Sequence, residues 1–115
     1  MRSESEAREN PRTEAEQKKT PTNEALAAQA KEGDREALAA LWEQNRGLLR
    51  VMFNRLAAAY RERMDAAGVT LEDLEQEGYF AVAKAAKLYD PNAGAKFSTF
   101  LYYPVKNAFE SAVGL

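Results

Sequence analysis

With 115 residues, 45% of them hydrophobic and 30% charged, the chain has enough apolar material for one small globular core and no room for a second. It contains no cysteine and no histidine, which excludes disulfides, thiolate metal centres and imidazole chemistry; an enzyme is disfavoured, and no catalytic residue, metal or cofactor is expected. The net charge of −2 is too acidic for holding duplex DNA by phosphate neutralisation alone, and no signal-peptide core or bilayer-length apolar run is present, so a cytoplasmic protein with no membrane partner is expected.

In chain order, residues 1–22 mix Glu, Arg and Lys with Pro11 and Pro21 and carry almost no large apolar side chain. Such a composition cannot bury enough surface to offset chain entropy, and a disordered polar tail is expected, with a charged functional arm as the alternative. From residue 23 to 115 the pattern is helical. Asn23 is placed to cap a short helix ending near Lys31, Gly33 suits its C-terminal left-handed position, and Asp34 caps the next helix. Leu38, Leu41, Trp42, Leu49, Met52, Phe53, Leu56 and Tyr60 predict a long second helix running to about Ala67, with Gly47 as the place for a bend.

Gly68 ends that helix and Thr70 caps a third, with Glu72 and Asp73 in the first turn where negative charge meets the positive end of the dipole. Leu71, Leu74, Gly78, Ala81, Ala85 and Leu88 form its predicted inward face, and the small residues at 78, 81 and 85 would let a neighbouring helix come close. Asp90-Pro91-Asn92-Ala93-Gly94 reads as a turn. Ser98 is placed to cap a last helix through about Val113. No period-2 run of β-branched residues occurs, so the expected fold is all-α: a compact bundle of about four to five helices behind a disordered tail. The last helix is still apolar-periodic where the chain stops at Leu115, which suggests a fragment of a longer protein.

Charge is segmented along the chain. Residues 46–68 carry +3, through Arg46, Arg50, Arg55, Arg61 and Arg63, and residues 69–90 carry −3. The arginines are suited either to tracking phosphates or, as the plainer reading, to solvating a helix. Asp73, Gln76 and Glu77 stand at i, i+3 and i+4 and share one helical face, a compact acceptor patch pointing away from the predicted core stripe. Tyr79 is expected at the rim of that patch and Phe80 in the core. In the last helix, Phe97, Leu101, Pro104, Val105, Ala108 and Ala112 fall on one side, which should be buried. Tyr103, Lys106, Asn107 and Glu110 fall opposite, flanked by Tyr102 and Phe100. Rings beside a cation and an amide on an open face suit single-stranded DNA: a stacking surface, a phosphate contact and base-edge hydrogen bonds.

The run Asp73-Leu74-Glu75-Gln76-Glu77-Gly78, followed one helical stretch later by Lys96-Phe97-Ser98-Thr99, resembles the second conserved region of bacterial sigma-70 family factors. The resemblance covers Asn23 to the C-terminus and is strongest from Leu71 to Phe109. It implies that Asp73, Gln76 and Glu77, with Tyr79 beside them, grip core RNA polymerase on a basic coiled coil of its largest subunit. It further implies that Lys96, Phe97, Thr99, Phe100, Tyr102, Tyr103, Lys106, Asn107 and Glu110 recognise the promoter −10 element, mainly its single-stranded non-template strand. Phe100 matches the aromatic that replaces the flipped −11 base, Tyr103 the first of two adjacent tryptophans that wedge at the duplex edge, and Lys106, Asn107 and Glu110 the face that reads the −12 pair. For Phe97, Phe100 and Tyr102, a role as core or rim aromatics stays open.

This sequence departs from the family pattern at Pro104, where the second tryptophan would stand, at Ala95, which replaces an aromatic, and at Ala93, where a basic residue is common. Proline in a helix interior lacks a donor and clashes with a preceding carbonyl, so a kink or a late helix start is predicted near Tyr102. The departures fit a divergent, specialised member, such as one carried by a mobile element or phage. Family members usually carry a further domain for the −35 element, which is not expected within residues 23–115, and an anti-sigma protein is a further partner that the resemblance brings in. Two other readings stand beside it: a polymerase-binding regulator or decoy that has lost promoter recognition, and an unrelated self-associating bundle using Trp42, Tyr102 and Tyr103 as its apolar patch.

Overall fold

Four of the six α-helix starts among the described residues are set by a side-chain hydrogen bond, local or borrowed, and the other two follow directly on a preceding helix. The computed structural model describes residues 20–115; all of the expected tail but its last three residues lies outside them. Helix α1 (Asn23–Lys31) is capped by Thr22, whose hydroxyl accepts from the Ala25 N–H at 3.0 Å, one residue earlier than the sequence predicts. Asn23 is free for tertiary use: its Oδ1 accepts from Asn45 Nδ2 at 2.9 Å and from Gln44 Nε2 at 2.8 Å. Asn45 is a buried polar residue, and its amide also donates to the Leu41 carbonyl at 2.9 Å, so the buried donor is satisfied.

Gly33 takes φ 100°, and Asp34 caps α2 (Arg35–Ala59) by accepting from the Ala37 N–H. This helix runs unbroken through Gly47, so no bend is needed there. The break falls instead at Tyr60, which leaves the helical region at φ −123°, ψ 40° and packs its ring on Phe109 at 5.8 Å; α3 (Arg61–Ala67) follows. One predicted long helix is thus two, and the second buries Met64.

Helix α4 (Leu71–Leu88) packs against α1, α2 and the C-terminal helix and forms the spine of the bundle. Its start is a reciprocal capping box between Thr70 and Asp73. Its buried face is Leu74, Gly78, Ala81, Val82, Ala85 and Ala86. Two predicted inward residues sit at the ends instead and are half exposed, Leu71 at 50% and Leu88 at 55%. The close approach predicted at Gly78 is present: a methyl group there would lie 3.2 Å from Trp42 and 3.4 Å from Phe53.

After a short 3-10 turn (Pro91–Ala93), the chain forms the four-residue α5 (Phe97–Phe100) and then α6 (Tyr102–Ala112). Ser98 lies inside α5 and does not cap it. The two segments meet at Leu101, so Pro104 becomes the third residue of α6, in a first turn whose N–H groups have no intrahelical partner. The predicted late start near Tyr102 is what the chain adopts, and it removes the conflict between proline and helix. Phe97, Leu101, Val105 and Phe109 from these segments close over Leu41, Leu74, Val82 and Ala85. The all-α architecture is as expected; no strand occurs among the described residues. No helix among them is long and apolar enough to cross a membrane.

Candidate functional site: an acidic face and an aromatic face

The capping box that starts α4 also sets the position of its acidic face. Asp73 accepts the Thr70 N–H at 2.9 Å while the Thr70 hydroxyl accepts the Asp73 N–H at 3.2 Å. The Thr70 backbone N–H foremost, and the Thr70 side chain after it, hold the Asp73 carboxyl below its ordinary pKa, so the charge persists on an exposed side chain. Gln76 and Glu77 follow at i+3 and i+4 and are also exposed, as the periodicity requires. Glu75 belongs to a different face. It takes hydrogen bonds from Arg50 at 3.0 Å and Arg46 at 3.4 Å, and these lower its pKa, Arg50 contributing most.

Arg46 also stacks over Trp42 at 5.5 Å, and Trp42 meets Tyr79 edge-on at 5.9 Å. Tyr79 is therefore half-buried at the rim of the acidic face, where it was expected. Phe80 is not in the core: it is 65% exposed, because α4 turns its small residues toward α2 and leaves position 80 between Gln76 and Glu77 on the solvent side. Three of the five arginines of the basic segment are engaged within the domain, Arg46 and Arg50 with Glu75 and Arg63 with the Gly114 carbonyl at 3.0 Å.

On α6, Tyr102 and Tyr103 are 41% and 62% exposed and meet edge to face with centroids 5.9 Å apart. Tyr103, Lys106, Asn107 and Glu110 lie at the spacing that shares one helical face, and Lys106 pairs with Glu110 at 3.4 Å. Lys96 and Thr99 are exposed, and Phe100 is half-buried against Tyr89 at 5.8 Å. Phe97 must be withdrawn from the DNA-contacting set: it is wholly buried, packed edge-on against Tyr89 at 5.5 Å, and no base can reach its ring.

The two faces adjoin. Glu77, Phe80, Ala81 and Lys84 of α4 and Pro104, Asn107, Ala108 and Ser111 of α6 line one groove of about 210 Å³, so a docking candidate and a base-reading candidate share its walls. A second cleft of about 290 Å³ lies on the other side of α4, between Trp42, Leu49 and Phe53 of α2 and Leu71 and Glu75. Sequence reasoning gave no role to Glu24 or Tyr89. Glu24 accepts the Phe97 N–H at 2.9 Å from 73 positions away, and Tyr89 donates its hydroxyl to the Ala95 carbonyl at 2.6 Å. No local pattern could have signalled the first of these.

The family pattern of sigma-70 region 2 matches residues 41–113, a span that contains the acidic face and the aromatic face. The chain is 33% identical over 61 residues to the chloroplastic RNA polymerase sigma factor sigD of Arabidopsis thaliana, an alignment covering 53% of this chain and 15% of that protein. It thus corresponds to less than a sixth of the length of that relative. No solved structure matches the chain. A match over more than half the sequence, with both motifs inside it, decides the family: this chain belongs to the sigma-70 region 2 family.

Proposed function

We propose that this chain is the polymerase-docking and −10-recognising part of a sigma-type initiation factor, with no catalysis of its own. The observation that carries the reading is the pairing of two exposed surfaces on adjacent packed helices. Asp73, Gln76 and Glu77 project from α4, and Tyr102, Tyr103 and Asn107 from α6. Asp73 and Glu77 present charge to a basic coiled coil of the largest polymerase subunit, which favours rapid, oriented association more than raw affinity. Gln76 and the half-buried Tyr79 complete that contact. Once docked, Tyr103 and Tyr102 stack on unpaired bases of the non-template strand, Phe100 occupies the place of the extruded base, and Asn107 reads a base edge. Lys96, Thr99, Lys106 and Glu110 supply backbone and edge contacts around them. A domain of net charge −2 relies on the polymerase to bring it to DNA, which fits recognition of a melted strand over capture of duplex.

The test is a pull-down of the chain with bacterial core RNA polymerase, followed by crosslinking of the complex to a single-stranded −10 oligonucleotide and to a scrambled control. Polymerase binding with selective crosslinking is the expected result. Binding without selectivity would favour a decoy that keeps only the acidic face, and no binding at all would sink the assignment.

A further inference from the structure

The aromatic reading segment is short and does not cap itself. Helix α5 has only four residues, Lys96 precedes it, and no side chain of its own segment takes up its first N–H groups. The Phe97 N–H is bonded instead by the Glu24 carboxylate of α1, at 2.9 Å. On the preceding residues, the Tyr89 hydroxyl donates to the Ala95 carbonyl at 2.6 Å, and the Tyr89 ring lies against both Phe97 and Phe100. Lys31, at the other end of α1, donates to the Tyr89 carbonyl at 3.3 Å. Burial raises the Tyr89 hydroxyl above its ordinary pKa, and the nearby Glu24 charge pushes it the same way.

Resting on the proposed function above, we infer that Glu24 is a positioning residue for −10 recognition, a latch from α1 that holds the Ala95–Phe100 segment in register for the displaced strand. The geometry requires an outside hold. A single-turn helix between a 3-10 turn and a proline-containing helix has little stability of its own. Phe97 anchors it by burial, but burial of one ring does not set the angle at which Phe100 and Thr99 are presented. The bond to the Phe97 N–H does, because it ties the first backbone group of the turn to a separate helix. The Asn23–Asn45 bonds fix that helix against α2, so the latch is referred to the body of the bundle. Glu24 touches no base in this scheme and acts through the backbone of Phe97.

The experiment uses the full chain bound to core RNA polymerase, with Glu24→Ala and Glu24→Gln compared with wild type in affinity for the polymerase and for a single-stranded −10 oligonucleotide. Exchange of the Phe97 amide is followed by NMR in the free chain. Glu24→Ala should exchange its Phe97 amide faster and lose about tenfold in oligonucleotide capture, the size of one hydrogen bond, with polymerase affinity unchanged. Glu24→Gln keeps an acceptor oxygen in place and should recover most of the capture. Unchanged capture in Glu24→Ala would overturn the latch, as would a loss of polymerase affinity in step with capture, which marks general unfolding, or a failure of Glu24→Gln to rescue. If wild type itself captures no −10 strand, the functional reading fails first, and Glu24 is left with a structural contact only; a protected Phe97 amide in that case identifies which of the two has fallen.

Discussion

Phe97 and Phe80 are both aromatic, both lie in the segments with the strongest family likeness, and have opposite fates. Phe97 is fully buried where α5 meets α1 and the Tyr89 ring, so Phe97→Ala should cost about 3–5 kcal/mol of stability in urea unfolding, through lost burial and the cavity left behind. Phe80 stands in solvent, and Phe80→Ala should change stability by no more than about 0.5 kcal/mol. A stability loss at position 80 equal to that at 97 would contradict the observed burial. Asp73 gives a second test at this scale. Its folded pKa is depressed, so its contribution to the α4 cap is fully present above the ordinary aspartate pKa and is lost as pH falls through the lower folded value. An NMR carboxyl titration should show the Asp73 pKa rising toward the ordinary value in Thr70→Ala, which removes the hydroxyl side of the box.

Within elements, the local signals for ends were legible and the signals for interruptions were not. Thr70, Asp34 and the glycines at 33 and 68 start or stop helices where their chemistry says they should, since a cap needs only its own side chain and the next turn. The break at Tyr60 has no proline or glycine behind it and coincides with the packing of its ring on Phe109, nearly fifty residues on. Pro104 was readable as a conflict, and α6 resolves it by starting late. The inward face of α4 was readable at its centre and misjudged at its ends, because periodicity cannot tell how far the neighbouring helix extends. At the centre, Gly78 lets Trp42 and Phe53 approach closely; Gly78→Val should therefore destabilise the domain by about 1–3 kcal/mol, measured by thermal unfolding, through overpacking against those rings.

For the whole molecule, the acidic and aromatic faces belong to different helices and should be separable by mutation. Glu77→Lys reverses a charge on an exposed position and should weaken polymerase binding at least about tenfold, a loss of ~1.4 kcal/mol, while leaving the melting temperature unchanged. Tyr103→Ala should spare polymerase binding and weaken capture of forked −10 DNA by about 1–3 kcal/mol, the worth of one stacked base. An equal loss for Tyr103→Ala on random duplex would argue against stacking. The shared groove between Glu77 and Asn107 makes the separation a sharp test, since the two surfaces meet there without a buffer of core residues.

The sequence by itself determined the helical class, the caps at Asp34 and Thr70, the glycine stops at 33 and 68, the acidic triplet, the exposed Tyr103–Asn107 face and the family to which they point. Apart from the family, which needs two motifs from different helices, these depend on residues within two turns of one another, where side-chain chemistry and a period of 3.6 suffice. Tertiary structure alone decided for Phe97 between the buried side that periodicity gave it and the DNA-contacting set that the resemblance gave it, put Phe80 at the surface, paired Arg46 and Arg50 with Glu75, and brought Glu24 of α1 to the Phe97 N–H. Each of those outcomes turns on which helix lies opposite, and that is set by the joint packing of the bundle, to which no single stretch of the chain has access.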